Sequence, residues 1–452
     1  MTNVQEDVGS LRWPETLPSV PPSWANSNIP DQDDPIWSSV KALFNLPWFR
    51  RVWIIQEIVA APTVRIICGK WNIDWNDLHS TMEIIDQQLQ LYSNDMSRLR
   101  ESWEPFLSLA AQREWEARQY RWILFMLLEN FRYAESTLSR DRSFALLGLA
   151  SDGNEEEFEP DYESTLEEIV LRFARVFVRQ GRGIQLLYRA GLTHEVNRFP
   201  SWIPDWTVKR PQSLHESSEI GIPFAASGSM EANMKLDANT DELEADGYEV
   251  DFVESLSQSS NIEQEWPRYF EEIDEMLDAA NLNPVPDSLE ELRWKVPIAG
   301  AMHPKLVIPG TPGLKCSYNA LRKYLRNSQK GKEVEGSGCP SDGATLYAQA
   351  LDSTAVDAYQ TQSMSYTTAL KGTLHKFRFT VTRKGYVGVV PYLTQVGDLV
   401  SIVKGARVPF VLRASATRSG CFRLVGECYI NDLMNGRSLS LQGIVQREFR
   451  LH

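Results

Sequence analysis

The chain has 452 residues, 42% hydrophobic and 23% charged, which is the composition of a globular protein with two or three cores at about 150 residues per domain. Its formal net charge of −14 argues against a general nucleic-acid-binding protein, because such proteins carry a basic footprint. Five cysteines without a C-x-x-C spacing and no signal peptide predict a reducing, cytoplasmic setting, and no apolar run reaches the ~20 residues of a membrane span.

Residues 1–30 are predicted to form an extended, mobile leader, because five prolines lie among polar side chains. A short helix is expected to follow. A second helix is predicted over residues 48–61, with Asn45 as its N-cap and Pro47 in its first turn. Pro62 is expected to end it, since proline cannot continue a helix.

The helix predicted over residues 48–61 has two stripes, since residues four apart share a face. One stripe contains Phe49, Trp53 and Glu57. A neighbouring apolar stripe is expected to face a core, and it consists of Val52, Ile55 and Val59. Glu57 is therefore predicted at a core boundary, where no basic residue lies three or four positions away to pair with it.

A strand is predicted over residues 63–68, because β-branched residues follow a proline there, and Gly69 and Lys70 are expected to turn the chain back. The segment 115–131 is predicted to be a central helix, since part of it is apolar on all sides. A further helix is predicted from Ser164 to Gln180.

The C-terminal part has a different pattern. Residues 211–365 are predicted to form an acidic, variable segment of helices and loops, with a strand expected over residues 243–252. From residue 366 to the end we predict a small basic β domain. Five short strands separated by turn residues favour an antiparallel β-barrel or curled sheet, and they cover residues 376–381, 386–390, 398–403, 408–413 and 422–430. With the mostly helical region 31–210, the predicted fold class is α+β.

The charge is unevenly distributed. Residues 371–452 contain 13 Lys and Arg against 4 Asp and Glu, a net of +9 in an acidic protein. Two interpretations stay open: a basic terminal domain that docks on an acidic body, or a domain that receives an anionic ligand or partner.

Several motifs occur in a fixed order along the chain. They are P-W-F-R-R-V-W-I-I-Q-E at 47–57, S-R-D-R-S-F-A-L-L-G-L at 139–149, P-D-Y at 160–162, F-P-S-W-I-P-D-W at 199–206, K-G-Y-V-G at 384–388 and G-D-L-V at 397–400. Together they resemble the fungal heterokaryon-incompatibility (HET) family. Members normally begin with A-L-S-Y-x-W-G and W-I-D-A-x-C-I-N-Q segments, which are not found here. The resemblance therefore implies an N-terminally truncated chain, whose helical region is the remnant of a TIR-like α/β domain.

The resemblance also implies a catalytic candidate. HET domains resemble Toll/interleukin-1-receptor (TIR) domains, some of which cleave NAD with a glutamate in a Trp-x-x-x-Glu arrangement before a strand. Here Glu57 is the corresponding candidate catalytic residue and Trp53 a candidate pocket wall. The alternative is a purely structural Glu57. Since ligands of parallel α/β folds bind at the carboxyl ends of strands, the absent first strands would supply most of the pocket.

Two functions follow from the resemblance. The first is a non-catalytic incompatibility-type protein, implied in non-self recognition and programmed cell death, with other incompatibility proteins as partners. The second is a TIR-like NAD-cleaving enzyme whose first half lies upstream. The six histidines lack metal-ligand spacing, so no metal site is predicted, and no cofactor, nucleic acid or membrane span is expected.

Overall fold

The computed structural model describes residues 30, 34–89, 94–192, 198–208, 214, 224–237, 240–258, 263–282, 288–300, 313–336, 353–436 and 444–452. The predicted leader, apart from Pro30, lies outside these residues. Contacts divide the chain into two compact units, residues 1–166 with 206–209 and residues 167–205 with 210–452. The four segments predicted from composition stay a prediction.

In its described residues the first unit consists of helices, one hairpin and the turns between them. Its helices are α1 (Ile36–Phe44), α2 (Trp53–Ala60), α3 (Trp75–Leu89), α4 (Asn94–Ala117), α5 (Leu124–Asn130) and α6 (Asp141–Phe144). Strands β1 (Arg65–Cys68) and β2 (Trp71–Asp74) pair antiparallel, as predicted. Gly69 adopts a φ of +58° in the turn between them, a conformation that glycine takes without steric cost.

An aromatic cluster forms the core of the first unit. The ring centroid of Phe106, on α4, lies 5.0 Å from that of Phe44 and 4.9 Å from that of Trp75. Trp103, one turn earlier on α4, is fully buried. Because each such side chain stabilises the fold by roughly 1.5–3 kcal/mol when buried, this cluster holds α1, α3 and α4 together.

The helix predicted over residues 115–131 is two helices, so that prediction is wrong. Helix α4 ends in a Schellman motif, in which Gln119 has a φ of +61°. The amide of Tyr120 donates to the carbonyl of Trp115 at 2.9 Å, and the amide of Gln119 to that of Glu116 at 2.9 Å. The apolar run lies in α5 and is buried as expected, at Leu124, Phe125, Leu127 and Leu128.

The second unit combines helices with one large sheet. Its helices are α7 (Leu166–Arg179), α8 (Gly183–Arg189), α9 (Trp266–Ala279), α10 (Leu289–Lys295), α11 (Leu314–Gly336) and α12 (Ser353–Leu374). Its strands are β3 (Met234–Leu236), β4 (Leu243–Leu256), β5 (Phe377–Thr382), β6 (Val387–Pro391), β7 (Leu399–Val403), β8 (Phe410–Ala414), β9 (Cys421–Glu427), β10 (Tyr429–Ile430) and β11 (Val445–Leu451).

Five of these strands close into a ring. Strand β4 pairs with β11, β11 with β9, β9 with β8, β8 with β7, and β7 again with β4. The pairing of β11 with β9 is parallel and the others are antiparallel. Strands β5, β6 and β10 extend the sheet beyond the ring. The predicted α+β class with a small barrel or curled sheet is confirmed.

The ring closes around apolar side chains and one close backbone contact. The buried core includes Val250, Val400, Ile402, Val411 and Val425. At Gly247, on β4, an added Cβ would lie 2.5 Å from the carbonyl oxygen of Ile402 and 2.9 Å from the ring of Phe449. Only glycine lets β4 come this close to its neighbours.

Upstream acidic residues pair with the basic excess of the C-terminal segment. The carboxylates lie between residues 241 and 263, and the ion pairs are Lys404–Asp246, Arg418–Asp241, Arg418–Glu242, Arg450–Glu242, Arg447–Glu249 and Lys371–Glu263. Basic side chains of the C-terminal segment thus pair with acidic side chains upstream, while both interpretations of the basic excess stay predictions. The hydrogen bond from Asn233 and the nearby Lys404 lower the pKa of Asp246.

We expect Gly247→Ala to destabilise the second unit by about 1–3 kcal/mol, because the new methyl group overpacks the closure of the ring. Gly372→Ala is the matched control, since an added Cβ there meets nothing within 4 Å on the exposed side of α12. It should stabilise the chain by about 0.5–1 kcal/mol, as alanine does in helices. Urea denaturation of both variants measures the difference, and equal midpoints would contradict the close-contact interpretation.

A second stability prediction concerns Asp398. This buried carboxylate accepts two hydrogen bonds from Arg413, at 2.9 and 2.8 Å, and one from the amide of Gln395 at 2.7 Å. Asp398→Ala should destabilise the chain by about 3 kcal/mol, because it leaves a guanidinium group without its counter-ion. Glu249→Ala, which breaks the more exposed pair with Arg447, should cost less than about 1 kcal/mol in the same urea assay.

Candidate functional site

Helix α2 carries both residues predicted from the sequence, but it begins later than predicted. Residues Pro47–Arg50 form a 3₁₀ turn, and Arg51 is extended, with φ −70° and ψ 126°. The amide of Val52 donates to the carbonyl of Glu135 at 2.9 Å, so a tertiary backbone bond breaks the helix. The predicted continuous helix over residues 48–61 is therefore wrong. Asn45 ends α1 instead of capping this helix.

The apolar face of α2 matches the prediction. Val52, Ile55 and Val59 are 1%, 2% and 4% exposed, which confirms that this stripe faces a core. Ile54 and Ile58 widen the buried face. Two adjoining apolar stripes of α2 are thus buried, and only the opposite side of this short helix can face solvent.

Trp53 and Glu57 lie on the opposite side of α2. Trp53 is 36% exposed and Glu57 is exposed. We call the side of α2 that carries Trp53 and Glu57 the 53/57 face. The expectation that Glu57 lies at a core boundary is wrong, because the buried side chains of Ile54 and Ile58 turn this face outward. The indole and the carboxylate are one turn apart on the same face. The structure thus brings the two candidate residues together on an open surface.

The end of α2 is held by a side chain from α4. The guanidinium group of Arg113 donates to the carbonyl oxygens of Ile58, Ala61 and Pro62. These groups lie at a helix C-terminus, where carbonyls lack intrahelical partners and a positive charge is favourable. The orientation of the 53/57 face is thus fixed by the buried apolar face of α2 and by the bonds from Arg113 at the C-terminal end of the helix.

Two of the sequence motifs meet beneath this face. Gln56, half-buried on α2, packs against Gly148, where an added Cβ would lie 3.0 Å from the amide nitrogen of Gln56. The guanidinium group of Arg121 donates to the Gly148 carbonyl. The glycine of the second motif therefore serves close packing with the glutamine of the first.

The arginines of the second motif bind backbone carbonyls. Arg140 donates to the carbonyl of Ser164 at 3.0 Å and lies 5.8 Å from the centroid of the Tyr162 ring. Arg142 donates to the carbonyl of Thr207 at 2.7 Å. The acceptors that the structure gives for both guanidinium groups are backbone carbonyls. Both side chains hold loops in place.

A buried polar network in the first unit was missed in the sequence. Glu129 accepts two hydrogen bonds from Arg132, at 3.0 and 2.7 Å, and one from the indole of Trp206 at 2.6 Å. The side chain of Arg132 is 7% exposed. The signal was a pair of opposite charges three residues apart at the end of an apolar run. This network holds the last tryptophan of the F-P-S-W-I-P-D-W motif.

The geometry restricts what the 53/57 face can do. A carboxylate in water lacks the preorganised, desolvated surroundings that make electrostatic catalysis strong. An exposed indole next to it is suited to contact with another molecule. In the described part of the chain no group of three His, Cys, Asp or Glu side chains is placed to hold a metal ion. No helix there combines the length and apolar character needed to cross a bilayer.

Comparison with known proteins relates both halves of the chain to one group. Residues 249–451 match the model of the Het-6 beta-barrel domain. The chain is 23% identical to heterokaryon incompatibility protein 6, OR allele, of Neurospora crassa, over 86% of this chain and 64% of that protein. The chain thus spans less than two thirds of the length of this relative. No solved structure matches.

The domain match begins at residue 249, within strand β4, and ends at residue 451, the last residue of β11. It therefore covers most of the closed ring described above. Residues 249–451 are thus similar to a Het-6 beta-barrel domain, and the chain is similar to a fungal heterokaryon incompatibility protein, in keeping with the sequence motifs of the first unit.

Proposed function

We propose that this chain acts in fungal non-self recognition and programmed cell death through protein contacts, without catalysis. Its likeness to a heterokaryon incompatibility protein over 86% of its length supports the biological role. The proposed partners are other incompatibility proteins, and the proposed location is the cytoplasm. The proposal concerns this chain alone, since it covers 64% of that relative.

The observation that supports a role without catalysis is the exposure of the 53/57 face. Cleavage of a nicotinamide–ribose bond needs a carboxylate that is held against the substrate and shielded from water. Glu57 is exposed, because the opposite, apolar face of α2 is packed in the core and holds the helix in this orientation. The adjacent Trp53, at 36% exposure, has the amphipathic character that is enriched in protein interfaces.

A TIR-like NAD-cleaving enzyme is the second candidate. The observation that favours it is the geometry of Trp53 and Glu57, one turn apart on one face of α2 and followed by strand β1. This is the arrangement that the resemblance implies for a catalytic glutamate. In this alternative, further elements would cover the face and exclude water from Glu57.

The two candidates differ in NAD consumption. We expect the purified chain to release no nicotinamide from NAD, as measured by chromatography over hours at micromolar protein. Gln56→Ala and Glu57→Ala should behave as the wild type does. Nicotinamide release that is lost in Glu57→Ala but kept in Glu101→Ala, a second exposed glutamate of the first unit, would favour the enzyme.

The contact proposal is tested by expression in a fungal strain and counting of viable heterokaryons. We expect the chain to change the viability of particular strain combinations, and we expect Trp53→Ala to reduce this effect several-fold. Glu57→Gln, which removes only the charge, should retain most of it. An effect that is abolished by Glu57→Gln and kept in Trp53→Ala would contradict a contact role and support chemistry at the carboxylate.

A further inference from the structure

A cleft of about 710 Å³ lies between three helices of the second unit. Helix α11 contributes one polar face, because its lining residues recur at the spacing of a single helical side. They are Asn319, Arg322, Lys323, Arg326 and Asn327. The opposing walls come from Asp274 and Asp278 of α9 and from Arg293 of α10. This volume is within the range of small-molecule sites.

The carboxylates of the cleft already have cationic partners. Asp274 accepts from Arg293 at 2.8 Å and from Arg322 at 2.6 Å. Asp278 accepts from Arg293 at 2.6 Å, and Glu290 pairs with Lys315 at 3.4 Å. A cationic ligand would therefore have to displace a guanidinium or ammonium group that the fold already supplies.

Arg322 is held in a fixed position in the cleft wall. Its guanidinium carbon lies 4.9 Å from the ring centroid of Phe270 and 5.9 Å from that of Tyr318. One amino group binds Asp274, while the buried Nη1 has no hydrogen-bond partner in the described structure. An unmet charged donor in a low-dielectric wall favours an added acceptor. Burial raises the pKa of Tyr318, which keeps the phenol neutral beside this cation.

Positive charge is in excess along α11. Arg326 lies one turn beyond Arg322, is exposed, and makes no ion pair with any described residue. The amide side chains of Asn319 and Asn327 add further donors on the same face. Guanidinium groups match the paired oxygens of phosphates and carboxylates, so this face is complementary to an anion.

We propose that the cleft between α9, α10 and α11 binds a small organic anion, whose phosphate or carboxylate group is held by Arg322 and Arg326. The asparagine side chains on either side orient the rest of the ligand. The site is lined by residues of the second unit alone and includes neither Trp53 nor Glu57 of the first, so it is independent of the role proposed for those residues.

Calorimetric titration of the full chain at low ionic strength tests this site, with pyrophosphate and citrate as separate probes. The phosphate and carboxylate classes are distinguished by which probe binds more tightly. We expect Arg326→Ala to weaken the better probe about tenfold, because it removes a charge-assisted hydrogen bond. Arg326 is exposed, so the variant should keep the wild-type circular dichroism spectrum.

Arg268→Ala is the matched control, because this exposed arginine of α9 pairs with Glu272 and does not line the cleft. It removes the same charge and should leave binding of the probe unchanged. Equal weakening by the two variants would indicate a general charge effect and overturn the proposal. If the wild type bound neither probe at a probe concentration of about 10 mM, the proposal would also be overturned. The dissociation constant would then be weaker than that of even a weak specific site.

Discussion

The second unit depends on the pairing of one strand with four others. Strand β4 pairs with β3, β11 and β7 over its first part and with β5 at its end. Its register shifts near Asp251 and again near Glu254, which bends the strand from the ring into the flanking sheet. Without β4, four strands would each lose a partner, and their open edges could pair wrongly. Strand β4 therefore both closes the ring and connects it to the flanking strands.

The same strand explains the uneven charge of the chain. Asp246 and Glu249 lie on β4, and they pair with Lys404 and Arg447 from strands or turns that follow far later in the sequence. Each pair contributes little on its own because the side chains are partly exposed. Their arrangement matters more, since a strand of the wrong register would place like charges together. The acidic segment and the basic segment thus belong to one sheet.

Local patterns could be predicted from the sequence, and tertiary effects could not. The strands β5 to β9 were predicted because each is a short apolar run between turn residues. Strand β11 was missed, since its exposed and charged side chains, such as Arg447 and Glu448, hide a pairing with a strand about 200 residues away. The break at Arg51 was missed for a similar reason, because the bond that causes it comes from Glu135.

Around the candidate site, several residues of the sequence motifs have structural roles. Gln56 and Gly148 come from two motifs and pack on each other, and Arg142 and Trp206 bind groups that hold loops in the first unit. Packing and the holding of loops thus account for these four motif residues. Trp53 and Glu57 are different, because nothing in the core requires an indole or a carboxylate on the exposed side of α2. A function of this unit is therefore best sought at that face, where structural demands on the side chains are weakest.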